Sequence, residues 1–217
     1  MNNMEQARFN MIEQQIRPWD VPDSRILNLL SVVKREQFVP AGRQALAFMD
    51  MEIPLGHGAF MWQPKIEARV LHELNVQPSE RVLEVGTGSG YLAALLSRLA
   101  GQVTSVEIVP VLSALAAKSL AAHHFDNIQF EVGDAANSWG ADKYDVIVLT
   151  GSVPLSPKAY FQQLNPGGRV FAIVGDAPAM QAQVFTCLAN DVFECKTLFE
   201  TNVLPLQNAT QPQRFVF

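Results

Sequence analysis

Along residues 4–38 apolar positions recur three and four apart, with Phe9, Ile12 and Ile16 on one stripe and Ile26, Leu29, Leu30 and Val33 on a second. Pro18 and Pro22 separate the two, so the spacing predicts two amphipathic helices. Asp23 or Ser24 can cap the second, because either side-chain oxygen accepts from the free amides of a first helical turn. From Val39 to Gln63 the chain mixes Pro, Gly and aromatics with no sustained period and reads as irregular. Pro64 then suits the first position of a third helix, with Ile66, Val70, Leu71 and Leu74 as its apolar face.

From Arg81 onward the period changes. Short apolar runs (RVLEVG, QVTSVE, IQFEVG, YDVIVLT) alternate with helical stretches over Tyr91 to about Leu99 and Val111 to about Ala122. This βαβ rhythm predicts a mainly parallel sheet with helices on both faces. After GGRVFAIVG, two β-rich segments meet at Asn190 and Asp191, which predicts an antiparallel hairpin closing the sheet.

A length of 217 residues suits one domain with extra elements, and 48% apolar against 17% charged residues excludes a disordered chain. The formal charge is -5 with no basic run, which argues against a nucleic-acid partner. No stretch approaches the roughly 18 apolar residues of a membrane span, and the first residues lack a secretory apolar core, so a cytoplasmic protein without a membrane partner is expected. Cys187 and Cys195 lack zinc spacing and read as ordinary thiols, so no metal is expected.

The chemistry concentrates where a strand runs into a glycine turn and then a helix: Val82, Leu83, Glu84, Val85, Gly86, Thr87, Gly88, Ser89, Gly90. Glycines let backbone press against a ligand at a helix amino terminus. An acid two positions before the first glycine would repel a diphosphate but can hold an ammonium, which points to S-adenosylmethionine. Glu107 ends the next strand, nineteen residues beyond Gly88, where a carboxylate can accept both ribose hydroxyls. Asp134, between Gly133 and Ala135 after the third strand, can accept from an adenine amino group. Together these three acids point to a class I S-adenosylmethionine-dependent methyltransferase, with S-adenosylhomocysteine as its product.

The chain also resembles the protein-L-isoaspartate O-methyltransferases from about Ile26 to Leu206. ILNLLSVVKREQFVP, FMDMEIPLGHGAFMWQP, RVLEVGTGSGY, VTSVE, VGDA, YDVIVLTGSVPLSP, LNPGGRVFAIVG and VLPL follow that family's order and spacing. The resemblance implies a Rossmann-like seven-stranded α/β sheet preceded by a helical extension. Residues 1–63 would form that extension and a loop packed on a catalytic domain of residues 64–217. It implies that Glu84, Gly86, Thr87, Gly88, Ser89, Gly90, Glu107, Asp134, Ala135 and Thr150 line the cofactor site, with Ala59, Phe60, Met61 and Trp62 over the methyl donor. His57, Phe60, Val203, Leu204, Pro205 and Leu206 would wall the acceptor, an isoaspartyl protein or peptide, in a monomer or homodimer.

One departure bears on mechanism. The family has a Thr-Ile-Ser run whose serine is thought to orient the substrate carboxylate, and here those positions are Phe60, Met61 and Trp62; the preceding Gln is Ala59, and an Ala or Pro is Glu52. Trp62 thus stands at the serine position as a candidate catalytic group, its indole N–H a possible donor. Three readings stay open for the aromatic pair: core packing, a pocket reshaped for a flat or apolar acceptor, or an indole donating to the carboxylate. His57 could act as a base toward a hydroxyl or amine acceptor, or pack in the loop. His72 reads as a surface residue, and Met49, Met51 and Met61 as adaptable packing.

Four functions follow: isoaspartyl repair, methylation of an unidentified small acceptor or another protein group, S-adenosylmethionine binding without catalysis, or a nicotinamide dehydrogenase. GTGSG preceded by Glu84 argues against the last. The tail after Leu206 carries no assignment.

Overall fold

The computed structural model describes residues 3–189 and 192–213. The chain begins with α1 (Asn3–Met11), which loosens into a π-helical turn at Ile12–Ile16 and a 3₁₀ turn at Arg17–Trp19. Ile12 and Ile16 of the expected stripe are buried, but Phe9 faces solvent, and Arg8 and Met11 turn inward with them. Arg8 is held inside by an ion pair with Glu36, so a charged residue occupies the buried face. α2 (Ser24–Val32) is capped by Asp23, whose Oδ1 accepts from the amide of Arg25 at 2.8 Å, and it buries Ile26, Leu27 and Leu30.

Residues 39–63 are less irregular than their composition suggests. They contain a 3₁₀ turn at Gln44–Leu46 and a short antiparallel hairpin, β1 (Ile53–Gly56) and β2 (Ala59–Met61), with Ile53 opposite Met61. Gly56, His57 and Gly58 all adopt positive φ at its tip, which hid its period among turn residues. α3 (Pro64–Leu74) follows with the predicted face buried.

The remaining elements are β3 (Arg81–Val85), α4 (Tyr91–Leu99), β4 (Gln102–Glu107), α5 (Pro110–Ala122), β5 (Ile128–Val132), β6 (Tyr144–Val153), α6 (Lys158–Phe161), β7 (Leu164–Val174), β8 (Met180–Ala189) and β9 (Val192–Thr201). They build a seven-stranded sheet in the order β5-β4-β3-β6-β7-β8-β9, parallel through β7, with β8 antiparallel to both neighbours. The sheet is Rossmann-like, as expected, and β8 and β9 form the closing hairpin; the proposed join at Asn190 and Asp191 lies outside the described residues. Apolar cores lie on each face: Val82, Val146, Val148 and Phe171 pack toward α3, α4 and the amino-terminal helices, and Leu83, Ile147, Leu149 and Val170 toward Tyr160. No helix among the described residues is long and apolar enough to cross a membrane.

Candidate active site

Beyond β3 the chain runs through β4 and β5 on one side, then crosses back to β6 on the other, and open α/β sheets bind ligands at the crevice left by such a reversal. A cleft of about 1040 Å³, mouth included, lies there at the carboxyl ends of the strands. Glu84, Gly86, Thr87, Gly88 and Ser89 reach it from β3 and its turn, Glu107 from β4, Asp134 and Ala135 from beyond β5, and Thr150 from β6. The β1–β2 hairpin and its flanks add His57, Ala59, Phe60, Met61 and Trp62, and the chain after β9 adds Val203, Leu204, Pro205 and Leu206. Gly90 alone among the expected residues stands outside. It caps α4 at φ 80, and a Cβ there would come within 2.9 Å of Leu120 Cδ1, so its lack of a side chain serves helix packing.

The glycine turn is shaped by contact. A Cβ on Gly86, at φ 95, would sit 2.1 Å from Thr150 Oγ1. That hydroxyl lies 2.8 Å from the carbonyl oxygens of both Val85 and Gly86 and donates to this pair, pinning the turn to β6. Glu107 holds the turn from the other side: its Oε2 accepts from the Gly88 amide at 2.9 Å and its Oε1 from the Val109 amide at 3.0 Å. Asp134 accepts from the Ala136 amide at 3.0 Å and from Asn208 Nδ2 at 2.8 Å. Each carboxylate oxygen keeps a second lone pair for a ligand.

Glu84 is fully buried. Its Oε2 accepts from Ser105 Oγ, which in turn is 2.7 Å from Thr87 Oγ1, while Oε1 is buried without a partner. Burial pushes its pKa up to about 8, against the hydrogen bond from Ser105, and the charges of Glu107 and Glu67 raise it further. Glu67, not singled out in the sequence, lies on the buried face of α3 and also lines the cleft. Arg35, itself fully buried, pairs with it and donates to the carbonyls of Ala47 and Trp62, with its guanidinium 5.1 Å from the Tyr91 ring centre. Burial nevertheless outweighs that pairing and lifts Glu67 to about 7. An acid three and seven residues ahead of apolar Val70 and Leu74, in phase with the α3 stripe, was the available signal for Glu67.

Glu52, Glu67, Glu84, Glu107 and Asp134 thus line the cleft, and among the described residues no Lys or Arg does. An orphaned buried carboxylate oxygen in such a wall suits a cationic ligand. The aromatic pair divides. Trp62 joins the core with its ring edge-on to Phe171 at 6.0 Å between centres, whereas Phe60 stands 42% exposed at the mouth. His57 sits exposed at the hairpin tip with φ 55, and His72 is half-buried with Nδ1 unpartnered, more enclosed than its helical position suggested. Among the described residues no group of three His, Cys, Asp or Glu could hold a metal.

Sheet order and the glycine turn at the switch point give a Rossmann-like fold, and the family match makes its class a methyltransferase. The family model for protein-L-isoaspartate(D-aspartate) O-methyltransferase matches residues 6–211, and the chain belongs to that family. Protein-L-isoaspartate O-methyltransferase 1 of Rhodopseudomonas palustris is 38% identical over 202 residues, 92% of this chain and 82% of the relative. A Koribacter versatilis protein-L-isoaspartate O-methyltransferase is 41% identical over 177 residues, 81% of this chain and 79% of its own. The fold is similar to a solved protein-L-isoaspartate O-methyltransferase at TM-score 0.78 and 23% identity, covering 93% of this chain and 65% of that one. It is also similar to a beta-aspartate methyltransferase of Plasmodium falciparum, solved in complex with S-adenosyl-L-homocysteine, at TM-score 0.79 and 19% identity over 95% of this chain and 99% of that one.

Proposed function

We propose that the cleft binds S-adenosylmethionine and that the protein transfers a methyl group to the carboxylate of isoaspartyl residues in damaged proteins or peptides. The observation that carries the cofactor assignment is the buried, unpartnered Oε1 of Glu84 in a wall of acids. When bound, S-adenosylmethionine supplies an electrophilic methyl on a sulfonium.

The chain's own residues do the rest. Glu84 Oε1 would accept from the amino-acid ammonium, Glu107 from the ribose hydroxyls and Asp134, beside Ala135, from the adenine amine. Gly86, Thr87, Gly88 and Ser89 bring backbone against the nucleoside, and Thr150 keeps the turn fixed. Residues 59–62 would cover the methyl, while His57, Phe60 and Val203 to Leu206 would wall the acceptor. An acceptor carboxylate with an ordinary pKa near 4 is ionised at neutral pH, so no base is needed. The site contributes alignment at roughly 3–3.5 Å and exclusion of water. Trp62, at the position of the family serine, is the candidate donor to that carboxylate through its indole N–H. The enzyme's setting is the cytoplasm, in keeping with two free thiols whose strand positions are out of register, Cys195 facing Phe185 and Cys187 facing Phe193.

The test is transfer of labelled methyl from S-adenosylmethionine to an isoaspartyl peptide, with the aspartyl peptide as control. Base-labile label confined to the isoaspartyl peptide is the expected result. A second reading, a different acceptor, draws on the replacement of both family hydroxyls by Phe60 and Trp62. It predicts no such label from a protein that still binds S-adenosylhomocysteine.

A further inference from the structure

Of the five acids lining the cleft, four have work or a counter-charge: Glu84, Glu107 and Asp134 are given to the proposed cofactor, and Glu67 is paired to Arg35. Glu52 is left over. It immediately precedes β1, and since Ile53 lies opposite Met61, continuing the register by one places Glu52 across from Trp62, beside the wall that the proposed function gives to the acceptor. Among the described residues it has neither an ion pair nor a hydrogen bond, although Asp50 two positions earlier is paired to Lys65. It is half-buried, and that burial alone raises its pKa. The neighbouring titratable residue on the hairpin is His57, exposed at the tip, and Arg43 is turned to the carbonyl of Pro54 at 2.7 Å.

A lone carboxylate beside the place where another carboxylate must bind is electrostatically uncomfortable. Like charges a few ångströms apart in a partly desolvated cleft cost free energy, and a cation between or beside them removes that cost. On the reading that isoaspartyl carboxylates are the acceptor, we infer that Glu52 is a specificity-determining residue: it selects acceptor peptides carrying a Lys or Arg side chain next to the isoaspartate and rejects those carrying an acid there. The inference rests on the proposed function and adds the substrate subclass to it. Phe60 and Leu204, both exposed at the mouth, give the aliphatic stem of such a side chain an apolar surface to lie on while its charge reaches Glu52.

The experiment compares kcat/KM for three isoaspartyl peptides that differ only in the following residue, Lys, Ala or Glu, using the full chain and its Glu52→Gln and Glu52→Ala variants. The wild type is expected to favour the Lys peptide over the Glu peptide by about tenfold, and both variants to reduce that ratio to within about twofold. Raising salt to 0.5 M should shrink the wild-type ratio and leave the variants' ratios nearly flat. Melting temperatures near that of the wild type would confirm that the variants fold. A ratio unchanged by either substitution, or no preference in the wild type while the peptides are methylated, overturns the inference and leaves the function standing. If none of the peptides is methylated by a protein that binds S-adenosylhomocysteine, the proposed function itself falls, and this inference with it.

Discussion

Ser105 on β4 donates its hydroxyl to one oxygen of Glu84 on β3 and leaves the other oxygen buried and bare. The two residues face each other across adjacent parallel strands, so the arrangement is fixed by the sheet. One satisfied oxygen orients the carboxylate, and the bare one supplies a site for a cation.

Glu84 and Glu67, lifted to about 8 and about 7, keep protons in the folded protein that the unfolded chain has already released above the ordinary carboxylate range. The folded state therefore binds more protons between about pH 5 and pH 8, and the unliganded protein loses stability as pH rises through that window. Melting temperature against pH should slope downward there, less steeply in Glu84→Gln.

An ammonium on Glu84 requires its ionised form, so ligand binding below pH 8 expels a proton. Affinity for S-adenosylhomocysteine should rise between pH 6 and pH 8, by up to about tenfold per unit. Calorimetry in buffers of different ionisation enthalpy would detect the released proton. An affinity independent of pH would remove Glu84 from the ammonium site.

Gly86→Ala places a methyl 2.1 Å from Thr150 Oγ1 at a φ that only glycine adopts readily. Loss of S-adenosylhomocysteine binding by at least about a hundredfold is expected in equilibrium dialysis, with little recovery in Gly86→Ala/Thr150→Ala because the backbone angle remains strained.

Arg35→Ala leaves Glu67 buried without its counter-charge and should cost about 3–5 kcal/mol in urea unfolding. Arg35→Met/Glu67→Met should recover much of that loss, since two apolar chains of similar size replace both charges together.

Trp62→Ser restores the family hydroxyl but empties the space beside Phe171, at a cost of about 3–5 kcal/mol. Trp62→Phe keeps most of the volume and removes the N–H. If the indole orients the acceptor, kcat should fall about tenfold in Trp62→Phe while the Kd for S-adenosylhomocysteine stays put. An unaltered kcat would reduce Trp62 to packing.

Much of the sheet was legible because parallel strands buried on both faces leave short apolar runs, and β4 ends at Glu107 as its pattern indicates. The strand-end positions of Glu84, Glu107 and Asp134 followed from that rhythm, and so did most of the cleft. The β1–β2 hairpin was not legible, because a strand of three or four residues shows too little alternation to stand out beside turn glycines. Phe9 is exposed against expectation, and Arg8 is buried beside it on a distant partner, Glu36, which no local period encodes. Gly90 looked like part of a ligand turn, but the constraint upon it is α5 pressing against α4. Glu67 stood in phase with the α3 stripe, but the charge it pairs with is 32 residues away in the chain, so the local pattern alone did not mark it as a buried partner.

Arg35 comes from the chain between α2 and the hairpin, and its guanidinium grips α3 through Glu67 and the end of the hairpin through Trp62. Anyone building chimeras between relatives will meet that clasp at once. A junction placed at residues 63 and 64, where composition invites a cut, assigns the two halves of a buried ion pair to different parents. Exchange should succeed only when Arg35 and Glu67 travel together, so the unit that evolution can shuffle is larger than the sheet that does the chemistry.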